Sequence, residues 1–162
     1  MPNLRLSEWA NIAEIVASIV IVASLAYIGM ELNQNTQALQ QESYQTTLAT
    51  MIDVDIAEAT DESLSRILLS GMSSPDELTP EEWYRFARVA YARFGMWEYI
   101  FLSNRENAIS HQQWTALEPY FIDLSCKMGF KRFWAENRTG FSPEFVNYFK
   151  VTTQLTCPEL YD

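Results

Sequence analysis

From Ile15 to Met30 the chain is an unbroken run of apolar or small residues, IVASIVIVASLAYIGM. With Ile12 and Ala13 the run extends over residues 12–30, interrupted only by Glu14. A helix crossing a bilayer needs about 20 apolar residues, with a range of about 17–25, so this run predicts a membrane span. Trp9 and Tyr27 flank it, where amphipathic rings favour the interface. Glu14 lies one turn inside the boundary, within snorkelling reach of the headgroups. Three other readings are weaker. A cleaved signal peptide wants a basic leader, whereas Arg5 stands against Glu8 and Glu14; Ser24-Leu25-Ala26 resembles a cleavage site, yet the apolar run continues past it. A surface-lying helix needs a polar face that this run lacks. A buried helix of a soluble core remains open because the run is short. Small residues recur along the run (Ala13, Ala17, Ser18, Ala23, Ser24, Ala26 and Gly29), as in helices that approach one another in lipid, though such residues are common in any span.

Beyond the run the pattern stays helical. No stretch alternates with period two long enough for a strand, and no Asn-Gly or Asp-Gly turn is present. From Glu31 to about Ala59 the chain is polar, Gln-rich and free of Gly and Pro, with a sparse apolar stripe of Leu32, Leu39, Leu48 and Ile52. We expect a helix there with a break near Asn33-Gln34-Asn35, then a shorter helix from Glu62 to Ser70 stopped by Gly71. Thr79-Pro80-Glu81-Glu82 combines an N-cap, a proline at the first helical position and a capping-box glutamate. It opens a helix to about Asn104 whose stripe is Trp83, Phe86, Ala87, Ala90, Phe94, Trp97 and Phe101, with Arg85 and Arg88 facing away. Ser110 to Gln113 is a second capping box, and Pro119 is expected to kink or split the helix behind it. A short helix follows over Phe130 to Asn137, closed by Gly140. Ser142-Pro143-Glu144 caps a last one through Phe145 and Phe149 that ends at Pro158. The predicted fold is all-α: residues 1–31 an anchor with a short tail, 32–59 a helical extension or stalk, and 60–162 a small helix bundle.

Charge sharpens this picture. The net charge is −10, and residues 32–82 hold ten acidic residues against one basic, Arg66. Such a surface repels phosphate backbones and anionic lipid, so nucleic acid is excluded as a partner. An apolar share of 48% and an aromatic share of 14% are enough to build a core rather than a disordered chain. Around the span, Arg5 is the near-side cation and Arg66 the first on the far side, so the positive-inside rule puts the body outside the cytoplasm. Cys126 and Cys157 form no metal or redox motif. They pair as one disulfide in an oxidising compartment, or stay reduced as packing residues in the cytoplasm.

Chemistry is sparse. His111 is the only histidine, no glycine-rich phosphate loop or G-x-S-x-G elbow is present, and no catalytic or metal residue is assigned. A Cys–His pair would need His111 beside Cys126 or Cys157, with nothing local to activate either thiol. The acidic run Asp53, Asp55, Glu58, Asp61, Glu62 is the best metal candidate, since Asp55, Glu58 and Glu62 share a helix face, but a solvated face explains it more simply. Arg88 is a candidate for pairing across the bundle. Trp83, Trp97, Trp114 and Trp134 read as core before they read as ligand-stacking groups.

The opening W-A-N-I-A-E-I-V-A-S-I-V-I-V-A-S-L-A-Y-I-G-M-E-L-N-Q-N-T-Q-A-L, the middle E-E-W-Y-R-F and F-G-M-W-E-Y, and the closing G-F-K-R-F-W-A-E-N-R-T-G-F-S-P-E-F together resemble a family of bacterial single-pass membrane proteins with an N-terminal span, an N-T-x-A-L stretch and a C-terminal helical domain. The resemblance implies that same architecture and a bacterial inner membrane. It carries no activity and hence no functional residue. Members often have arginine just after the span, where this chain has Glu31, Asn33 and Gln37. Arginine there favours a cytoplasmic body, opposite to what this chain's own charges favour; we follow the latter. The functional expectation is a membrane-anchored interaction module, an accessory or scaffold subunit without catalysis or cofactor, touching lipid through residues 12–30 and a protein partner or a second copy through the anchor. The alternatives are a ligand-binding or sensory domain with an aromatic-lined pocket, and an enzyme of unrecognised type built on Glu98, Arg88, Asp123 and His111.

Overall fold

The computed structural model describes residues 6–157, so Arg5, on which the orientation reading leans, and Pro158 lie outside the described residues. The described chain is all-α: α1 (Leu6–Thr60), α2 (Glu62–Ser73), α3 (Pro80–Arg105), α4 (His111–Ser125), α5 (Met128–Asn137) and α6 (Pro143–Thr156), with short 3-10 turns at Pro75–Glu77 and Arg138–Gly140. It divides into two compact units, Met1–Leu39 and Gln40–Asp162.

In the first unit every residue from 8 to 39 is exposed. Within it lies an 18-residue window of mean hydropathy 2.2, none of it buried, which is long and apolar enough to cross a membrane. The serine hydroxyls inside the apolar stretch turn back on the helix: Ser18 Oγ donates to the Glu14 carbonyl and Ser24 Oγ to the Val20 carbonyl, each at 2.8 Å. Hydroxyls satisfied this way add little cost in hydrocarbon. No break occurs at Asn33–Asn35. Asparagine costs a helix only a few tenths of a kcal/mol, well below glycine or proline, and Thr36 Oγ1 bonds back to the Leu32 carbonyl at 2.9 Å.

The second unit begins at Gln40, inside the stretch that the sequence pattern reads as stalk. There Tyr44, Thr47, Leu48 and Met51 turn inward, with Thr47 and Met51 buried. Gln40 Nε2 donates to the Asn107 carbonyl at 2.7 Å, at the turn where Asn107 takes a positive φ of 57°. The core gathers on α3: Phe86, Ala90, Phe94, Trp97 and Ile100 are at most 3% exposed. Phe94 lies 5.0 Å from Trp134 and 5.6 Å from Phe149 between ring centroids, and Trp97 stacks on Phe121 at 5.6 Å. The edge-on Phe94–Phe149 and stacked Trp97–Phe121 pairs have the preferred aromatic geometries.

The capping signals act as read. Thr79 and Ser110 each form a reciprocal capping box, with Glu82 and Gln113, and the Ser142 side chain caps α6. Two further expected breaks do not occur. Gly71 does not stop α2, which runs on to Ser73 and gives way at Pro75. Gly71 is buried where α2 crosses α5, and a Cβ there would lie 2.6 Å from Phe86 Cε2; the glycine serves close packing rather than termination. Pro119 does not split α4. It lies on the exposed side while Leu117 and Phe121 to either side are buried, and that burial offsets the roughly 3 kcal/mol an interior proline costs. A disulfide joins Cys126 and Cys157, the residues that close α4 and α6, with Cα atoms 5.7 Å apart.

Candidate functional site

Among the described residues, the buried charged side chain is an arginine on the core face of α3. Position 93 continues the series Phe86, Ala90, Arg93, Trp97, Ile100, whose helical spacing faces the interior. The Arg93 side chain is 4% exposed. A buried guanidinium must find acceptors, and two come from α1. Arg93 Nη2 donates to Asp55 Oδ1 at 2.6 Å and to Glu58 Oε1 at 2.8 Å, while Nη1 donates to the Tyr120 hydroxyl on α4 at 2.7 Å. Its planar face also lies over the Tyr120 ring, 5.8 Å from the centroid. Burial works against the Arg93 charge, but the hydrogen bonds to Asp55 and Glu58 outweigh it and hold the group above its ordinary value. Burial also pushes the Tyr120 hydroxyl up, and the neighbouring Arg93 charge only partly opposes this. A fixed, permanently protonated arginine is a structural clasp, not a proton donor.

The clasp is lopsided. One nitrogen of one guanidinium serves both carboxylates, so two negative charges meet one positive. Neither Asp55 Oδ2 nor Glu58 Oε2 accepts a hydrogen bond from a described residue. Both residues line a surface groove of ≈ 300 Å³ between the ends of α1 and α2, whose remaining walls include Ser65, Leu68, Leu69 and Met72. Ser65 Oγ donates to the Glu58 carbonyl, tying α2 to α1 beneath it.

Three members of the acidic run, Asp55, Glu58 and Asp61, are taken up in structural tasks. Asp55 and Glu58 hold Arg93, and Asp61 caps α2 through the Leu64 N–H and pairs with Arg85 at 3.3 Å. Among the described residues no three His, Cys, Asp or Glu side chains are grouped to hold a metal. The expected cross-bundle arginine, Arg88, is exposed and lies over Tyr91, 5.4 Å from its centroid; Arg93 takes that role instead, because it and not Arg88 falls on the buried stripe. Glu98, Arg88, Asp123 and His111 do not come together. Glu98 accepts from the Ser142 N–H at 2.6 Å, Asp123 pairs with Lys127 at 3.1 Å, and His111 is exposed at the start of α4.

Trp97, Trp114 and Trp134 are buried in the core, and Trp83 is partly covered, with Arg132 4.1 Å above its ring. The interior space beside Arg93, Trp97, Phe121 and Phe130 has no room for a water molecule. Tyr148 bonds Glu118 at 2.5 Å, and burial together with that carboxylate drives its hydroxyl well above the ordinary range. No family model, no curated protein and no solved structure matches this chain.

Proposed function

We propose that the chain is a membrane-anchored helical interaction module, an accessory or scaffold subunit of a bacterial inner membrane, with one span over residues 12–30 and its helical unit on the periplasmic side. The observation that carries this reading is the exposed apolar stretch. An 18-residue window of mean hydropathy 2.2 with no burial is far more apolar surface than a soluble monomer leaves in water, and it is the length that hydrocarbon accommodates. The sidedness draws on two independent features. The Cys126–Cys157 disulfide belongs to an oxidising compartment, and residues 31–65 after the apolar run carry no Lys or Arg, as expected of an outward-facing flank. A bacterial source rests on the sequence resemblance. A non-enzymatic role is favoured because the acid–base candidates hold separate places, Glu98 on the Ser142 N–H and Asp123 on Lys127, and a sensory pocket is disfavoured by the closed aromatic interior.

Ultracentrifugation of lysed cells tests the anchor: the full chain should pellet, resist carbonate extraction and enter solution only with detergent. Recovery in the supernatant without detergent would sink the reading. Crosslinking in native membranes with mass spectrometry tests the interaction role, and recovery of monomer alone would count against it.

A further inference from the structure

We infer that the groove between the ends of α1 and α2 is the docking surface for a basic, amphipathic helix of a protein partner. The proposal rests on the interaction-module reading and names its surface. Charge complementarity argues for it. Asp55 and Glu58 share a single guanidinium nitrogen, which leaves one oxygen of each carboxylate without a hydrogen bond from a described residue. Asp55 remains 55% exposed despite its ion pair. The groove therefore offers two acceptors and a local excess of one negative charge, because two carboxylates share one guanidinium. An arginine or lysine laid across it completes the second half of the clasp, and charge-assisted hydrogen bonds to carboxylates are the strong ones.

Apolar surface beside these acceptors fixes the rest of the occupant. Leu69 is 69% exposed, and with Leu68 and Met72 it walls the groove next to the carboxylates. Methionine adapts its shape to a docked helix, and the exposed leucine offers it apolar area. A purely polar cation would leave that wall wet, whereas a helix with basic residues flanked by leucines at i, i+3 and i+4 covers it. A metal ion is a poorer fit, because the described residues give no group of three ligands.

The probe is a helical peptide of about 15 residues with arginines four positions apart and leucines at helical spacing, set beside a twin with glutamate for arginine. The full chain in non-ionic detergent is titrated by fluorescence anisotropy. The arginine peptide should bind, weaken as salt is raised, and lose about tenfold or more in affinity with Leu69→Lys and with Asp55→Asn, as expected of removing a charge-assisted contact. The glutamate twin should not bind. Leu69 is so exposed that Leu69→Lys leaves the fold intact, which keeps the test valid if Asp55→Asn loosens α1. Absence of binding, or equal binding to wild type and Leu69→Lys, overturns the proposal. In native membranes, a photo-crosslinker at position 69 should capture peptides bearing paired Arg or Lys among leucines, compared with a control at position 155, where Leu155 is 81% exposed. Adducts of any other composition at 69, or adducts at 155 alone, overturn the groove while leaving an interaction module standing. No adduct at either position counts against both.

Discussion

Cutting the bridge between Cys126 and Cys157 tests both the fold and its compartment. The two residues are 31 positions apart in sequence. Closing a loop of that size removes about 12 cal/mol/K of denatured-state entropy, so reduction should cost about 4 kcal/mol at 25 °C. A domain's whole stability is about 5–15 kcal/mol, so the loss is a large share of what holds the helical unit. For a unit of this size the melting temperature should fall by roughly 10–20 °C. The bridge ties the C-cap of α6 to the C-cap of α4, so the loss should appear first as fraying of α6. The assay is urea unfolding of the full chain in non-ionic detergent, oxidised and then reduced, followed by near-ultraviolet circular dichroism of the buried tryptophans. Using the reduced wild type avoids the small cavity that a Cys→Ala pair would leave beside the buried Cys157. Maleimide labelling of intact cells completes it, with no reaction expected until a reductant is added. Coincident unfolding curves, or two thiols alkylated in fresh membranes without reductant, would refute the reasoning and remove the disulfide's support for a periplasmic body.

The other predictions concern single side chains. Arg93→Ala should destabilise the helical unit by about 3–5 kcal/mol, the usual cost of breaking a buried charge pair from one side. Glu58, 20% exposed, should matter more than Asp55, 55% exposed, because a solvent-screened partner contributes only about 0–1 kcal/mol; urea midpoints showing Asp55→Asn as the costlier change would contradict this. Gly129→Ala should destabilise by about 1–3 kcal/mol, since its Cβ would lie 2.6 Å from Phe86 Cζ and against the Gly71 carbonyl; a neutral thermal shift would show that α2 and α5 separate easily. The Thr79 backbone N–H, Arg66 and the Thr79 hydroxyl hold Glu82 at about 2, below its ordinary 4.5. Its contribution is therefore present above pH 4.5 and lost as pH falls towards 2. Glu82→Gln should flatten acid unfolding across that window, and an unchanged profile would argue against the capping box as a source of acid sensitivity.

Local rules determined much of this protein from sequence alone. The apolar run, the absence of period-two alternation and the Thr79, Ser110 and Ser142 caps define helices by chemistry within a few residues, and the structure places those helix starts at the capped positions. The aromatic stripe of α3 was legible because burial follows helical spacing. Tertiary packing decided the rest. Gly71 and Pro119 carry local signals for ending a helix, yet a neighbour's ring over one and the burial of Leu117 and Phe121 around the other outweighed them. The site was half visible. Asp55 and Glu58 stood out as acids on one face, but their partner was missed. Arg93 sits at a position where spacing alone demands burial, a signal available in the sequence, though only the approach of α1 and α4 supplies the acceptors that make a buried guanidinium tolerable. Local backbone preference reaches about one turn along the chain. Which distant carboxylates meet that arginine is set by how the helices pack, and no local pattern encodes it.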